Sequence, residues 1–339
     1  MAWDRDPAAV QTYNGNRPSG PQAELSDLAA ADPVDLLQQW DAISPSPPLG
    51  IVGGPPCQPF SLGNVHRLVD DPRAQMPLVF AAVLDAAARR YEGFPRFFLM
   101  ENVAGLTTRP HKDLLAEILN RFRETGFHLV EPFLLDAQDF GVAQRRKRFF
   151  LVGFRSKDDR DRFQIPCGDP WTRRTVREAL SGLPDPMLFV RGTRPEEQGL
   201  HPNHWCMNPK SEKFRNGKNE PGHHLGRSFR MLHWDEPSQT VAFGHREVAV
   251  HPNGRRRISV LEAMRLQGFG DDYVLKGTLT DQIRLVSDCV PPPLAEALGR
   301  AIVTALGSEA AETQVEASGQ RLHDVALGRQ TAAATSSSA

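Results

Sequence analysis

Cys57 is the residue best suited to act as a nucleophile, because two prolines precede it directly. It lies in the segment Gly53-Gly-Pro-Pro-Cys57-Gln-Pro-Phe-Ser61. Proline fixes its own φ, so this backbone is stiff. A sulfur held at a fixed point near a cation or a helix end can be stabilised as a thiolate. An isolated cysteine is more often an inert buried side chain, but the adjoining prolines favour a nucleophile here.

Charged residues that could assist such a nucleophile occur further along the chain. Glu101-Asn102 follows an apolar run and would place a carboxyl group, a candidate general acid, at the end of a strand. Gln144-Arg-Arg-Lys-Arg148 opens another apolar run, and alternate residues of a strand project to one face, so Arg146 and Arg148 should point the same way. Taken alone, Glu101 is typical of a solvated turn. The basic residues of the 144–148 segment are, taken alone, typical of a charged strand edge that resists aggregation.

The elements that must position these residues alternate between strands and helices. The predicted strands span Leu49–Gly53, Arg96–Met100, His128–Leu135 and Arg148–Phe154, and the predicted helices span Leu78–Arg90 and His111–Thr125. This alternation is typical of a mostly parallel α/β sheet, in which functional groups gather at the carboxyl ends of the strands. We therefore expect Cys57 and Glu101 to lie at neighbouring strand ends.

The second half of the chain has a different character. Residues 155–250 are charged, interrupted by Pro and Gly, and only weakly periodic, which predicts a smaller and more irregular domain. A helical pattern returns from Ile258, and a last helix is predicted over Leu294–Leu306. Residues 307–339 end in an Ala-, Ser- and Thr-rich run and are predicted to be disordered.

Composition excludes several classes of protein. With 40% hydrophobic and 24% charged residues, the 339-residue chain can form a core and is not disordered overall. It has no membrane-length apolar run, and its first residues lack the pattern of a secretory signal. Four cysteines without a CxxC pair predict reduced thiols in the cytoplasm. His201, His204, Cys206, His223 and His224 show no convincing ligand spacing, so no metal site is predicted.

The net charge of −1 conceals a basic region. Residues 141–257 contain 23 Lys and Arg against 13 Asp and Glu. Such an excess fits the binding of a polyanion such as nucleic acid, if the charges cluster in space. A solvated basic surface is an equally good interpretation of the charge alone.

Several segments together resemble the cytosine-5 DNA methyltransferase family. GGPPCQPFS resembles its nucleophile loop, ENV its glutamate motif and AQRRKRFFLVGF its arginine motif. WDEPSQT at 234–240 is similar to a WDxPSxT stretch, and the segment from Arg257 to Phe269 resembles RxLTxxExxRLQGF. SDCVPPP at 287–293 resembles the closing motif, in which Asp288 replaces the usual Asn. The motifs occur in the family's order through most of the chain.

The resemblance implies a Rossmann-like methyltransferase sheet and a smaller target-recognition domain. It implies a catalytic part at 1–154, a recognition domain at 155–250, a return segment at 251–306 and a tail at 307–339. Cys57 would add to carbon 6 of a flipped cytosine, Glu101 would bind the exocyclic amine and nitrogen 3, and Arg148 would bind the carbonyl oxygen. Arg146 would support the loop or the same pocket. The implied substrate-binding residues also include Pro56, Gln58, Ser61 and Asn102.

The same resemblance implies S-adenosyl-L-methionine as methyl donor. Its implied binding residues are Trp3, Glu24, Leu25, Pro56, Met76, Asp288 and Val290. The family's first strand and FxGxGG turn have no counterpart, and Ala2 stands where the family has a ribose-binding acid. Three interpretations follow: an active enzyme shortened at its N-terminus, which we favour, an enzyme completed by another chain, or a degenerate member without cofactor binding.

The implied partners are duplex DNA and a restriction endonuclease, and the expected oligomeric state is a monomer without membrane contact. An RNA cytosine methyltransferase is an alternative, which the long variable segment at 155–250 disfavours. A DNA-binding protein without catalytic activity is a further alternative.

Overall fold

The computed structural model of the chain describes residues 1–56, 60, 72–210, 212–215, 230–240 and 249–307. The helices are α1 (Pro7–Gly15), α2 (Pro33–Ile43), α3 (Met76–Arg90), α4 (Lys112–Glu124), α5 (Lys157–Arg162), α6 (Val176–Leu180), α7 (Glu212–Arg215), α8 (Val260–Leu266), α9 (Leu279–Asp288) and α10 (Pro292–Leu306). The strands are β1 (Ala2–Asp4), β2 (Ala23–Leu25), β3 (Gly50–Gly53), β4 (Phe97–Val103), β5 (His128–Leu129), β6 (Phe133–Asp136), β7 (Lys147–Phe154), β8 (Met187–Leu188), β9 (Trp205–Cys206), β10 (Arg230–Met231) and β11 (Ala249–Val250). Within these residues, no helix is both long and apolar enough to span a membrane.

The central sheet has the strand order β3-β4-β7-β5, and β6 also pairs with β7. β3 and β4 are parallel, whereas β7 runs antiparallel to β4, β5 and β6. Four strands therefore share one direction and only β7 opposes them, which confirms the predicted mostly parallel α/β sheet. The carboxyl ends of β3 and β4 lie side by side, with Gly53 opposite Met100.

Apolar helices cover both faces of this sheet. Along β7, Phe149 and Leu151 pack with the core residues of α3 and α4, whereas Phe150 and Val152 pack against α10. This division follows from the alternation of side chains along a strand. Because both faces are buried, β7 is almost wholly apolar after Arg148, as expected for a strand covered on both sides.

The structure corrects the predicted bounds of several elements. β4 continues to Val103, so Glu101 and Asn102 lie within the strand and not after it, because β7 pairs with β4 as far as the Val103–Arg148 pair. The predicted strand 128–135 is divided into β5 and β6, and Pro132, which has no N–H to donate, lies in the break.

A separate apolar cluster joins the second half of the chain to the return segment. Side chains of α6, Trp205 and Leu232 pack with those of α8 and α9, and the Trp205 indole donates a hydrogen bond of 2.7 Å to Gln282 Oε1. The side chains of α8 and α9 thus form part of the core of the irregular region. The boundary between 155–250 and 251–306 stays a prediction, and the predicted disordered tail beyond Gly307 lies outside the described residues.

The first two strands form their own parallel pair, β1–β2, which is not hydrogen-bonded to β3 within the described residues. The return segment holds this pair in place. The Asn16 side chain exchanges two 2.8 Å hydrogen bonds with the backbone of Val274, and the Thr12 hydroxyl accepts one of 2.9 Å from the Lys276 N–H. An ion pair between Asp6 and Arg284 completes the contact.

Gly153 of β7 gives a test of this packing. A Cβ at this position would lie 2.3 Å from Cε1 of Phe98 and 3.1 Å from Cδ2 of Leu129. We expect Gly153→Ala to lower the free energy of unfolding by about 1–3 kcal/mol, because the Phe98 ring is fully buried and must shift. Urea denaturation measures this.

Gly299→Ala is the matched control, because a Cβ there meets nothing within 4 Å and the residue lies in the interior of α10. This variant should gain up to about 1 kcal/mol from helix propensity. Equal effects of the two substitutions would contradict the packing described here.

Candidate active site

The centre of the site is an ion pair between Glu101 of β4 and Arg148 of β7. Arg148 Nε lies 2.9 Å from Glu101 Oε1, and both side chains are largely buried. Burial raises the pKa of Glu101, and the attraction of Arg148 and Arg146 only partly offsets this, while the nearby Asp288 carboxylate adds to the rise. Glu101 is therefore a carboxyl group that holds a proton more readily than usual.

The loop that carries Cys57 passes beside this pair. A Cβ added at Gly54 would lie 3.4 Å from Glu101 Oε2, so the loop backbone approaches the carboxyl group closely. The fully buried Asn102 amide donates a hydrogen bond of 3.2 Å to the Pro55 carbonyl. Pro56 continues this loop and is partly buried. Cys57, Gln58 and Ser61 lie outside the described residues.

Arg146, which the resemblance implied would support the loop or the same pocket, lies just before β7. Its side chain is 1% exposed, and Nη2 donates hydrogen bonds of 2.5 Å and 2.7 Å to the carbonyl oxygens of Ser287 and Cys289. Because these two carbonyls flank Asp288, Arg146 joins the start of β7 to the end of α9. The expectation that Arg146 and Arg148 point the same way stays a prediction, because β7 begins only at Lys147.

Asp288 is the last residue of α9 and adjoins this cluster. Its side chain keeps contact with solvent, yet the surrounding atoms desolvate it enough to raise its pKa, against the attraction of Arg284, Arg146 and Arg148. Val290 is partly buried and packs with the α10 core. The structure thus brings Glu101, Asn102, Arg146, Arg148 and Asp288 together.

The Cys289 thiol lies in the same region but is poorly suited to act as a nucleophile. Its Sγ donates to Val286 O at 3.1 Å, and burial raises the pKa of Cys289 to about 11. We therefore expect Cys289 to resist iodoacetamide at pH 8, whereas the exposed Cys167 is alkylated. Mass spectrometry of the modified peptides checks this, and rapid alkylation of Cys289 in the folded protein would be the contrary result.

The segment 234–240 lies along the approach to β7. Ser238 exchanges backbone hydrogen bonds with Ala143 (2.9 Å) and Arg145 (2.8 Å), and the Thr240 hydroxyl donates one of 2.6 Å to Arg145 O. The WDEPSQT and QRRKR segments, far apart in sequence, are therefore adjacent in space. This contact connects the irregular region directly to the strand that carries Arg148.

A second group of residues implied to bind cofactor lies on the β1–β2 pair. Trp3 is opposite Glu24, and Leu25 follows on the same strand. The Trp3 indole donates a hydrogen bond of 2.8 Å to Gln39 Oε1, and Leu25 is 60% exposed. Because Trp3 and Glu24 are paired, their side chains project to the same face of the β1–β2 pair. Met76 begins α3, and no described contact joins it to this pair.

Sequence analysis missed one buried charged pair. Arg256 donates two hydrogen bonds to the Glu262 carboxylate, one of 2.8 Å from Nη1 and one of 2.7 Å from Nη2. The resemblance placed the start of the motif at Arg257, the next residue. Glu262 also accepts a 2.7 Å hydrogen bond from the Ser259 N–H, in a capping box that begins α8. The Ser-x-x-Glu spacing is a readable signal for such a box.

No group of three or more metal-ligating side chains is found in the described part of the chain. The His204 ring nitrogens lie 2.9 Å from Ser259 Oγ and 2.8 Å from Pro184 O, so hydrogen bonds already occupy both. His223 and His224 lie outside the described residues.

Comparisons with known proteins identify the family of the chain. The model of the C-5 cytosine-specific DNA methylase family matches residues 1–304. The type II methyltransferase M.MthTI of Methanothermobacter thermautotrophicus is 33% identical over 277 residues, which cover 75% of this chain and 78% of the relative. M1.HphI of Haemophilus parahaemolyticus is 31% identical over 89% of this chain and 80% of its own.

Among solved structures, an Escherichia coli prophage protein described as a DNA modification methyltransferase superposes with a TM-score of 0.70. It is 22% identical and covers 90% of this chain and 92% of its own, so it shows the same fold. The chain belongs to the C-5 cytosine-specific DNA methylase family.

Proposed function

We propose that this chain transfers a methyl group from S-adenosyl-L-methionine to carbon 5 of cytosine in duplex DNA. The observation that carries the proposal is the buried Glu101–Arg148 pair, beside the Pro55-Pro56 loop that leads into Cys57. A carboxyl group that retains its proton and a fixed guanidinium together match the polar edge of cytosine, which offers nitrogen 3, an amine and a carbonyl oxygen.

The Cys57 thiolate would add to carbon 6 of the cytosine, forming a carbon–sulfur bond and making carbon 5 nucleophilic. Glu101 donates its hydrogen bond to nitrogen 3 and accepts one from the amine, which stabilises the charge that develops on the ring. Arg148 donates to the carbonyl oxygen. After carbon 5 is methylated, loss of its proton breaks the carbon–sulfur bond and regenerates the thiolate.

The β1–β2 pair would hold one end of S-adenosyl-L-methionine. The exposed Leu25 and Glu24, with Trp3 beside them, would hold the adenosine part, and Pro56, Met76, Asp288 and Val290 would bind the remainder. When bound, this molecule supplies an electrophilic methyl group. Pro56, Gln58, Ser61 and Asn102 would shape the target pocket, and Arg146 would keep it assembled.

The target base must leave the helix stack, which costs a few kcal/mol. The excess of Lys and Arg in residues 141–257 would offset this cost through phosphate contacts. We assign residues 1–154 and 251–306 to catalysis and residues 155–250 to target recognition. We place the protein in the bacterial cytoplasm as a monomer, in a restriction–modification system with a cognate endonuclease.

Transfer of radiolabelled methyl groups tests the proposal. The chain is incubated with labelled S-adenosyl-L-methionine and either unmethylated duplex DNA or transfer RNA, and the products are digested to nucleosides. We expect label in 5-methylcytosine from the DNA only. Label in the RNA alone would support the RNA methyltransferase instead, and DNA binding without incorporation would support an inactive or incomplete member of the family.

A further inference from the structure

Gln144 and Ser238 are two buried polar residues that lie opposite one another. They form a parallel β-bridge between the segment that leads into β7 and the segment 234–240. Backbone hydrogen bonds flank the bridge, because the Ser238 N–H donates to Ala143 O at 2.9 Å and the Arg145 N–H donates to Ser238 O at 2.8 Å. Side chains of bridged residues project to the same face, so the Gln144 amide and the Ser238 hydroxyl lie side by side.

Neither side chain has a hydrogen-bond partner in the part of the chain that the structure describes. Gln144 is 0% exposed and Ser238 is 2% exposed. Both polar atoms of the Gln144 amide, Oε1 and Nε2, are without a partner, and so is Ser238 Oγ. Turning the amide over supplies no partner, because both of its ends are equally unpaired. The two side chains also make no hydrogen bond to each other, although they lie on bridged segments.

The neighbours of these two side chains are apolar. Val142 packs in the cluster that contains the α10 core, and Ala143 packs in the cluster that contains α8 and α9. Gln144 follows them directly, where the two clusters meet. A buried amide or hydroxyl without a hydrogen bond is costly, and the large majority of such groups in proteins have a partner. A shared partner for Gln144 and Ser238 must be able both to donate and to accept hydrogen bonds.

We propose that one buried water molecule binds between Gln144 and Ser238 and joins the two segments. Water both donates and accepts, and a buried water typically makes about three hydrogen bonds to groups of this kind. Its size suits the site, since adjacent strands lie about 4.8 Å apart and two hydrogen bonds through one oxygen span about 5.5 Å. A larger ligand would have to displace the apolar neighbours.

The water adds a side-chain link to a junction that backbone hydrogen bonds already fix. Gln144 precedes Arg148 by four residues, so the link lies on the segment that leads to the Glu101–Arg148 pair. It connects this segment to the irregular region through Ser238. The inference depends on no substrate, and it stands whether or not the chain transfers methyl groups.

The water can be observed directly in the wild-type protein. In a crystal structure that resolves ordered water, we expect one density peak at about 2.7–3.2 Å from both the Gln144 amide and Ser238 Oγ. In solution, nuclear Overhauser transfer from a long-lived water to the Gln144 side-chain NH2 gives the same test, and loss of this signal in Gln144→Met assigns it. A direct Gln144–Ser238 hydrogen bond, or a protein group in place of the water, would overturn the inference.

The sign of the stability change gives a second test. Methionine has about the length of glutamine but no amide, so Gln144→Met and Ser238→Ala each remove hydrogen bonds to the water and should lower the urea midpoint. The double variant should lose less than the sum of the two, because both residues bind the same water. If the groups were unpaired, each substitution would remove the cost of a buried polar group and raise the midpoint, contrary to the inference.

Gln38→Met is the matched control, because Gln38 is exposed on α2. Its urea midpoint should equal that of the wild type. An equal loss in Gln38→Met, or strictly additive losses in the double variant, would contradict a shared water. Circular dichroism confirms that the variants are folded, and if Gln144→Met does not fold, the crystal structure of the wild type decides the question.

Discussion

Cys57→Ala is expected to incorporate no methyl label into DNA under conditions in which the wild type labels every available site. Without the thiolate, carbon 5 of cytosine is not activated, and neither Glu101 nor Arg148 can supply the missing bond. The loss should therefore be complete and not a fractional decrease. Scintillation counting of the recovered duplex, with the variant at the same concentration, measures it.

Cys167→Ala is the matched control, because this exposed thiol lies on the loop before α6, with no described contact to the Glu101–Arg148 pair. It should label DNA at the wild-type rate. DNA containing 5-fluorocytosine adds a positive test, since fluorine cannot leave as a proton does and the carbon–sulfur adduct should persist on a denaturing gel. Measurable methylation by Cys57→Ala would refute covalent catalysis by this residue.

Glu262→Ala is expected to lower the free energy of unfolding by about 3–5 kcal/mol, because it leaves the Arg256 guanidinium buried without its carboxylate. Glu262 is 1% exposed and binds both ends of Arg256. The substitution also removes the capping box at the start of α8. Urea denaturation followed by tryptophan fluorescence reports the change.

The loss of stability in Glu262→Ala should depend on pH in a defined direction. Burial would raise the pKa of Glu262, but the hydrogen bonds and attraction of Arg256 outweigh it and hold the pKa below the ordinary value of 4.5. The stabilisation is therefore fully present above that value and is lost as pH falls through the folded-state pKa. The difference between wild type and variant should shrink in acid.

Glu296→Ala serves as the comparison, since its pair with Arg300 is exposed and should contribute less than about 0.5 kcal/mol. If Glu262→Ala cost no more than this control, the buried pair would not be a source of stability.

The direction and placement of the main elements could be predicted from the sequence, because they depend on local patterns. Apolar runs in the sequence located β3 and β7. The end of β4 could not be predicted in this way. Glu101 and Asn102 are polar, and they remain in the strand only because β7 pairs with them.

The roles of several charged residues depend on contacts between distant segments, which local patterns do not reveal. Arg146 was expected to support the loop or the pocket, and local patterns did not indicate that its side chain binds the carbonyls of Ser287 and Cys289. Arg256 and Arg257 are adjacent and chemically identical, so only packing shows which of them meets Glu262. The substrate and cofactor roles of the residues around Glu101 stay predictions.

The hydrogen bonds of Arg146 span 141 and 143 residues of sequence, and the contact between Thr12 and Lys276 spans 264. Such long loops must close before the pocket exists, which makes its assembly a late event in folding. A ribosome adds about 5–20 residues per second, so the basic region emerges several seconds before Cys289. A nascent chain would therefore expose its basic region before the pocket around Glu101 is complete.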